Sequence, residues 1–265
     1  MDMLQILLSS GIAALVLSCF GFWMYVFFFS VGYGYSILGI SALFLVVYRT
    51  SLSPLTLAMC AVLGLYGLRL GTFLLARGIK SASYKELFKN EVKSKVPFGV
   101  KLAIWLSVSL LYVCQMSPIA FRFVNKTGDD AFLIAGIALV TLGFLTEWLS
   151  DIQKGAAKKK NPKSFVSTGL YRIVRCPNYL GELILWTGVF VSGISVCNSV
   201  LQWVFAALGY VGIIYVMFSG ARRLELRQDR VYGENPEYQS YIAKTPILLP
   251  FIPIYSVKKH KWLVA

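Results

Sequence analysis

The chain reads as an all-α polytopic membrane protein of about seven transmembrane helices. Three observations predict this. Of its 265 residues 57% are hydrophobic and the mean hydropathy is +0.66, well above a soluble domain. The apolar residues fall in runs of the length a helix needs to cross a bilayer. The 26 Lys and Arg residues, against 12 Asp and Glu, are gathered mostly between those runs.

The runs lie at about 4–29, 33–48, 54–76, 100–121, 131–150, 178–196 and 200–219. The first opens on Met1-Asp2-Met3, without the basic leader of a secretory signal, so it counts as a span. The second is short and glycine-rich, and its limits are the weakest. The sixth follows Pro177, whose missing N–H suits the first turn of a helix. No repeat or linker interrupts the series, so a single domain over 1–265 is the simplest account.

Seven crossings place the two ends on opposite sides. Loop 78–99 then shares a side with loop 151–177 and the tail from 220. These carry Lys80, Lys85, Lys89, Lys93 and Lys95; Lys154, Lys158, Lys159, Lys160, Lys163, Arg172 and Arg175; and Arg222, Arg223, Arg227, Arg230, Lys244, Lys258, Lys259 and Lys261. The opposite loops hold Arg49, Arg122 and Lys126. The basic side should be cytosolic and the N-terminus outside or lumenal. The membrane would be the endoplasmic reticulum in a eukaryote and the inner membrane in a bacterium. The net charge of +14 thus reports orientation, not nucleic-acid binding, for which no basic fold motif is present.

Several chemistries are excluded early. The five cysteines, Cys19, Cys60, Cys114, Cys176 and Cys197, are odd in number and form no CxxC pair, against a disulfide framework or zinc site. His260 is the only histidine, which leaves no basis for histidine-based metal or triad chemistry.

The densest polar stretch is 169–182, Gly-Leu-Tyr-Arg-Ile-Val-Arg-Cys-Pro-Asn-Tyr-Leu-Gly-Glu, at the entrance to the sixth span. Ionisable groups at membrane depth are costly and usually functional. Asn178 and Glu182 are four apart and share a helix face. Glu147 and Asp151 form a second such pair at the same predicted depth. Carboxylates and amides so placed can hold ribose hydroxyls or a carboxamide, or can simply cap a helix end. Lys158, Lys159 and Lys160 suit either phosphates or an orientation signal. In the third span Tyr66 and Arg69 share a face, with Arg77 two turns on. Arg69 could clamp helices or support Tyr66 as a proton donor, since a nearby cation favours the phenolate. The tail, with Arg222, Arg223, Glu225, Arg227, Tyr232, Tyr238 and Tyr241 ahead of Thr245-Pro246-Ile247-Leu248-Leu249-Pro250, reads as an amphipathic helix and loop over the site, or as a membrane-surface anchor.

These residues resemble the steroid 5α-reductase superfamily, and most nearly a widespread family of reductase-like membrane proteins related to it. The match rests on the 169–182 motif, Gly67-Leu68-Arg69-Leu70-Gly71 through Arg77, Glu147 with Asp151, and Glu225 to Pro250, together about residues 54–252. The resemblance implies a seven-helix fold holding NADPH in a cytosol-facing cavity. Glu147, Asp151, Asn178, Tyr179 and Glu182 would contact the cofactor, and Arg172, Arg223 and Arg227 its phosphates. Tyr66 would polarise the carbonyl of a steroid-like or other lipophilic substrate, with Arg69 one turn beyond. The implied activity is reduction of a carbon–carbon double bond conjugated to a carbonyl. Two departures stand out. Relatives often have Arg-His-Pro, and this chain has Arg175-Cys176-Pro177. The steroid enzymes pair the tyrosine with a carboxylate in an early span. Here no acid lies between Asp2 and Glu86, and the second span offers Tyr33, Tyr35, Ser36 and Ser41.

Two other readings compete. Isoprenylcysteine methyltransferases, which bind S-adenosylmethionine, share an Arg-His-Pro-x-Tyr entry and a tyrosine-rich basic tail. Gly181-Glu182, Tyr238-x-x-Tyr241 and the Arg69 motif favour the reductase. A non-catalytic sterol- or lipid-binding protein of the same fold is the third reading, prompted by the missing early carboxylate.

Overall fold

The computed structural model describes residues 2–80 and 96–264. Lys85, Lys89, Lys93 and Lys95 of the first basic loop lie outside them. The described residues are helical, with no strand among them: α1 Met3–Ser18, α2 Phe20–Trp23, α3 Val31–Val47, α4 Pro54–Lys80, α5 Phe98–Val124, α6 Ala131–Lys160, α7 Pro177–Gly193, α8 Val200–Tyr232 and α9 Pro236–Lys244.

Among the described residues six stretches are long and apolar enough to cross a membrane: Met3–Trp23, Tyr25–Val47, Pro54–Lys80, Phe98–Val124, Ala131–Lys160 and Val200–Tyr232. The chain is a multi-pass membrane protein. The expected sixth span is α7, whose 17 residues rise about 25 Å, just under a bilayer core. The expected first span, 4–29, ends early. Met24 is extended, and Gly21 has no side chain where the Phe28 ring packs, so the chain turns at Trp23. Beyond 220 the polar tail begins as an unbroken continuation of α8 to Tyr232, because its Arg, Leu, Glu and Gln residues are good helix formers.

The chain forms two compact units. The first comprises Met1–Ile137 and Gly188–Tyr210. Its centre is the crossing of α3 and α4 through glycines. A Cβ on Gly34 would lie 2.8 Å from Gly71 Cα, and one on Gly67 would lie 2.7 Å from the Leu38 nitrogen. Lipid tails give helices no hydrophobic reason to associate, so such small residues set close packing. One end of this unit is tied by Arg122, which is 2% exposed. It donates to the Gly128 carbonyl, Asp130 Oδ2 and the Ser192 carbonyl, each at 2.9 Å. Asp130 is desolvated, which raises its pKa, yet the Leu133 N–H, Arg122 and Ser195 outweigh that and hold it below the usual carboxylate value. Asn125 reaches the Val196 carbonyl and Gln202 Oε1 beside it.

The second unit comprises Ala138–Thr187 and Val211–Ala265. Here α6 and α7 run antiparallel through Gly143 and Gly181. A Cβ on Gly181 would stand 2.7 Å from both the Glu147 nitrogen and the Gly143 carbonyl oxygen. The tail is laced onto the entrance of α7. The Arg175 N–H donates to the Pro246 carbonyl at 2.9 Å and the Cys176 N–H to the Ile247 carbonyl at 3.0 Å.

Candidate functional site

The polar residues singled out from the sequence divide between the units. Glu147, Asp151, Arg172, Asn178, Tyr179, Glu182, Arg223 and Arg227 belong to the second; Tyr66 and Arg69 belong to the first.

In the second unit, the glycine crossing puts the Glu147 backbone against Gly181, next to Glu182. Both carboxylate residues are buried, at 3% and 6% exposure. Trp186, one turn after Glu182, donates its indole N–H to Glu182 Oε2 at 3.1 Å. Asn178 lies one turn before Glu182, and its buried Oδ1 accepts no hydrogen bond. Leaving such an acceptor unsatisfied costs about 1–3 kcal/mol. Tyr179 packs its ring on Gly220 of α8, where a Cβ would stand 3.2 Å from the hydroxyl oxygen. The neighbouring Ser219 is a second buried orphan that the sequence reading missed; a serine beside a glycine in an apolar run was the only signal. Asp151 is half-buried, one turn beyond Glu147. Arg172, Arg223 and Arg227 are exposed, the last two four apart on α8.

The two arginines of the motif have different fates. Arg172 faces outward, whereas Arg175 is 2% exposed and donates to Glu225 Oε1 at 3.0 Å and to the Tyr255 carbonyl. Glu225 Oε2 accepts the Val257 N–H at 2.9 Å. This buried pair locks the tail to the motif, and sequence reasoning did not pair the two. The available signal was that Glu225 is the only acid between Glu182 and Asp229. Cys176, at the position of the relatives' histidine, is buried, which pushes its thiol up to about 12. It is a neutral packing group at physiological pH, with no charge to offer a ligand.

Of the lysine triplet, Lys158 closes a loop, donating to the carbonyls of Pro162 and Ser164 and to the Tyr232 hydroxyl. Lys159 and Lys160 are exposed. The tail tyrosines brace the same region. The Tyr241 hydroxyl donates to the Tyr171 carbonyl at 2.6 Å, and the Tyr238 hydroxyl to Asp229 Oδ1 at 3.0 Å. Phe165 stacks on Tyr241 and meets Tyr238 edge-on. Burial is the main force raising the pKa of Tyr171, Tyr238 and Tyr241, so all three stay neutral donors.

In the first unit Tyr66 is fully buried and donates to the Tyr33 hydroxyl at 3.2 Å. Tyr33 in turn lies 5.3 Å, ring to ring, from Tyr112, whose hydroxyl donates to the Phe28 carbonyl. Of the four polar groups the second span offered, Tyr33 is thus the one beside Tyr66, and the Gly34–Gly67 crossing explains why: each tyrosine immediately precedes one of the touching glycines. Arg69 is half-buried, with its guanidinium 5.2 Å from the Phe73 ring centre.

The chain belongs to the family described as "Protein of unknown function (DUF1295)", whose profile matches residues 29–245. That family is related to steroid 5α-reductase-like membrane proteins. Part of the chain is also similar to a Schizosaccharomyces pombe protein described as uncharacterised. The two are 40% identical over 89 residues, which is 33% of this chain and 24% of the yeast protein. The match thus spans about a quarter of that relative's length. No solved structure matches.

Proposed function

We propose that this protein is an NADPH-dependent membrane oxidoreductase that reduces a carbon–carbon double bond conjugated to a carbonyl in a lipophilic substrate. The observation that carries this reading is the buried polar face at the Gly143–Gly181 crossing, with Asn178 Oδ1 lacking a donor among buried carboxylates. A buried acceptor without a donor, as at Asn178, is costly until a polar ligand completes it.

The residues fit that cofactor. Glu147, Asp151 and Glu182 would accept ribose hydroxyls, Asn178 Oδ1 would accept a carboxamide or hydroxyl donor, and Tyr179 would pack beside the cofactor. Arg172, Arg223 and Arg227 offer forked donors to phosphates. Three exposed arginines suit a phosphate-bearing cofactor better than S-adenosylmethionine, which has no phosphate. When bound, NADPH supplies the hydride. Tyr66 would hydrogen-bond the substrate carbonyl and support the negative charge that develops on its oxygen. Tyr33 would then turn its own hydroxyl proton toward the Tyr66 oxygen.

Thermal shift of the detergent-purified protein tests the cofactor. A ligand that binds only the native state at about 100 times its Kd stabilises by about 2.7 kcal/mol. We expect NADPH to raise Tm, and Glu182→Ala to lose that shift while remaining folded. A shift with S-adenosylmethionine instead would transfer the protein to the methyltransferases. No shift with either, from a folded sample, would favour a non-catalytic lipid-binding role.

A further inference from the structure

The last residues of the chain fold back along α8. The Tyr215 hydroxyl donates to the Trp262 carbonyl at 3.0 Å and accepts the Val264 N–H at 3.2 Å. The two rings lie 6.2 Å apart. Arg222 donates to the carbonyls of Lys258 and Leu263, both at 3.2 Å. Arg222 is the first cation of α8, and Tyr215 stands seven residues before it, about 10 Å deeper along the axis. Trp262 is therefore held at the margin of the apolar part of α8, and not out beyond the helix end.

The exposed side chains of this clasp include the His260 ring, 6.2 Å from that of Trp262, and two further kinds. Trp262 and Val264 are apolar, at 65% and 73% exposure; Lys259 and Lys261 are exposed cations. Lys258 is spent on Asp229, at 2.9 Å. No Asp or Glu occurs between Tyr238 and Val264. An indole beside a helix margin and lysines with no acid among them is the chemistry of a bilayer's charged interface.

We propose that residues 258–264 form a clasp for anionic phospholipid headgroups. Lys259 and Lys261 meet the phosphates while Trp262 and Val264 enter the upper acyl layer. The clasp ties the bilayer surface to the same tail that Glu225 locks onto the motif. It rests on the tail's own geometry and is independent of the cofactor reading.

Hydrogen exchange of the full chain in nanodiscs tests this, comparing phosphatidylcholine alone with a phosphatidylcholine–phosphatidylglycerol mixture. We expect amides of 257–264 to exchange more slowly in the anionic discs, by about fivefold for each lysine engaged. Lys259→Gln with Lys261→Gln should abolish the difference, and high salt should weaken it. Brominated lipid should quench the wild type more than Trp262→Phe. Equal exchange in both discs, or equal slowing by inorganic phosphate in neutral discs, would overturn the proposal.

Discussion

Tyr66 and Tyr33 are where single atoms decide most. Both are buried, and their hydroxyls lie 3.2 Å apart. A phenol that donates to a substrate carbonyl needs its own oxygen stabilised as charge develops, and a second phenol does this by donating a neutral hydrogen bond, more weakly than a cation would. We expect Tyr66→Phe to keep the fold and the NADPH-induced Tm shift while turnover falls by at least about a hundredfold. Tyr33→Phe removes one neutral hydrogen bond, so kcat should fall by about tenfold with KM little changed. Single-turnover kinetics on an enone that the wild type reduces would separate the two. Full turnover by Tyr66→Phe would remove it from the chemistry. An effect of Tyr33→Phe confined to KM would make that residue a packing group.

Among the elements, the α6–α7 crossing carries the candidate site. Gly143 and Gly181 allow the backbones to touch, and Glu147 and Glu182 follow them into the interface. Gly181→Ala would force a Cβ to 2.7 Å from the Glu147 nitrogen, which only backbone movement relieves. Overpacking of this kind costs about 1–3 kcal/mol. Gly155, on the same α6, has open space around its Cβ position, so Gly155→Ala should stabilise by up to about 1 kcal/mol through helix propensity. Opposite signs of the Tm change from two Gly→Ala substitutions in one unit are the expected result. Equal signs would mean that the crossing is looser than described. The sequence made the helices legible, because apolar runs and four-residue spacings survive in one dimension. It also paired Asn178 with Glu182 and Glu147 with Asp151. It could not show which glycines touch, that Arg175 turns inward while Arg172 turns outward, or that Tyr33 meets Tyr66, since those depend on helices distant in sequence.

At the scale of the whole molecule, the question is how many times the chain crosses the bilayer. Among the described residues six helices pass on length, and α7 falls just short. The lacing of the second unit constrains the count physically. Arg175, just before α7, is bonded to Glu225 and to the Pro246 carbonyl, both beyond the apolar part of α8. Two segments in direct contact lie on one side of a membrane, so the chain between them crosses an even number of times. If α8 crosses, α7 crosses as well, despite its 17 residues. Seven crossings are then expected, with the two ends on opposite sides, and the positive-inside rule applied to the cations of 151–177 and the tail predicts a cytosolic C-terminal end. The measurement is protease protection of full-length protein, tagged at either end, in sealed vesicles with the cytosolic face outward. The C-terminal tag should be digested and the N-terminal tag protected until detergent is added. Digestion of both tags would mean an even number of crossings, and the error would then lie in the first unit. Protection of the C-terminal tag alone would reverse the orientation and leave the crossing count standing.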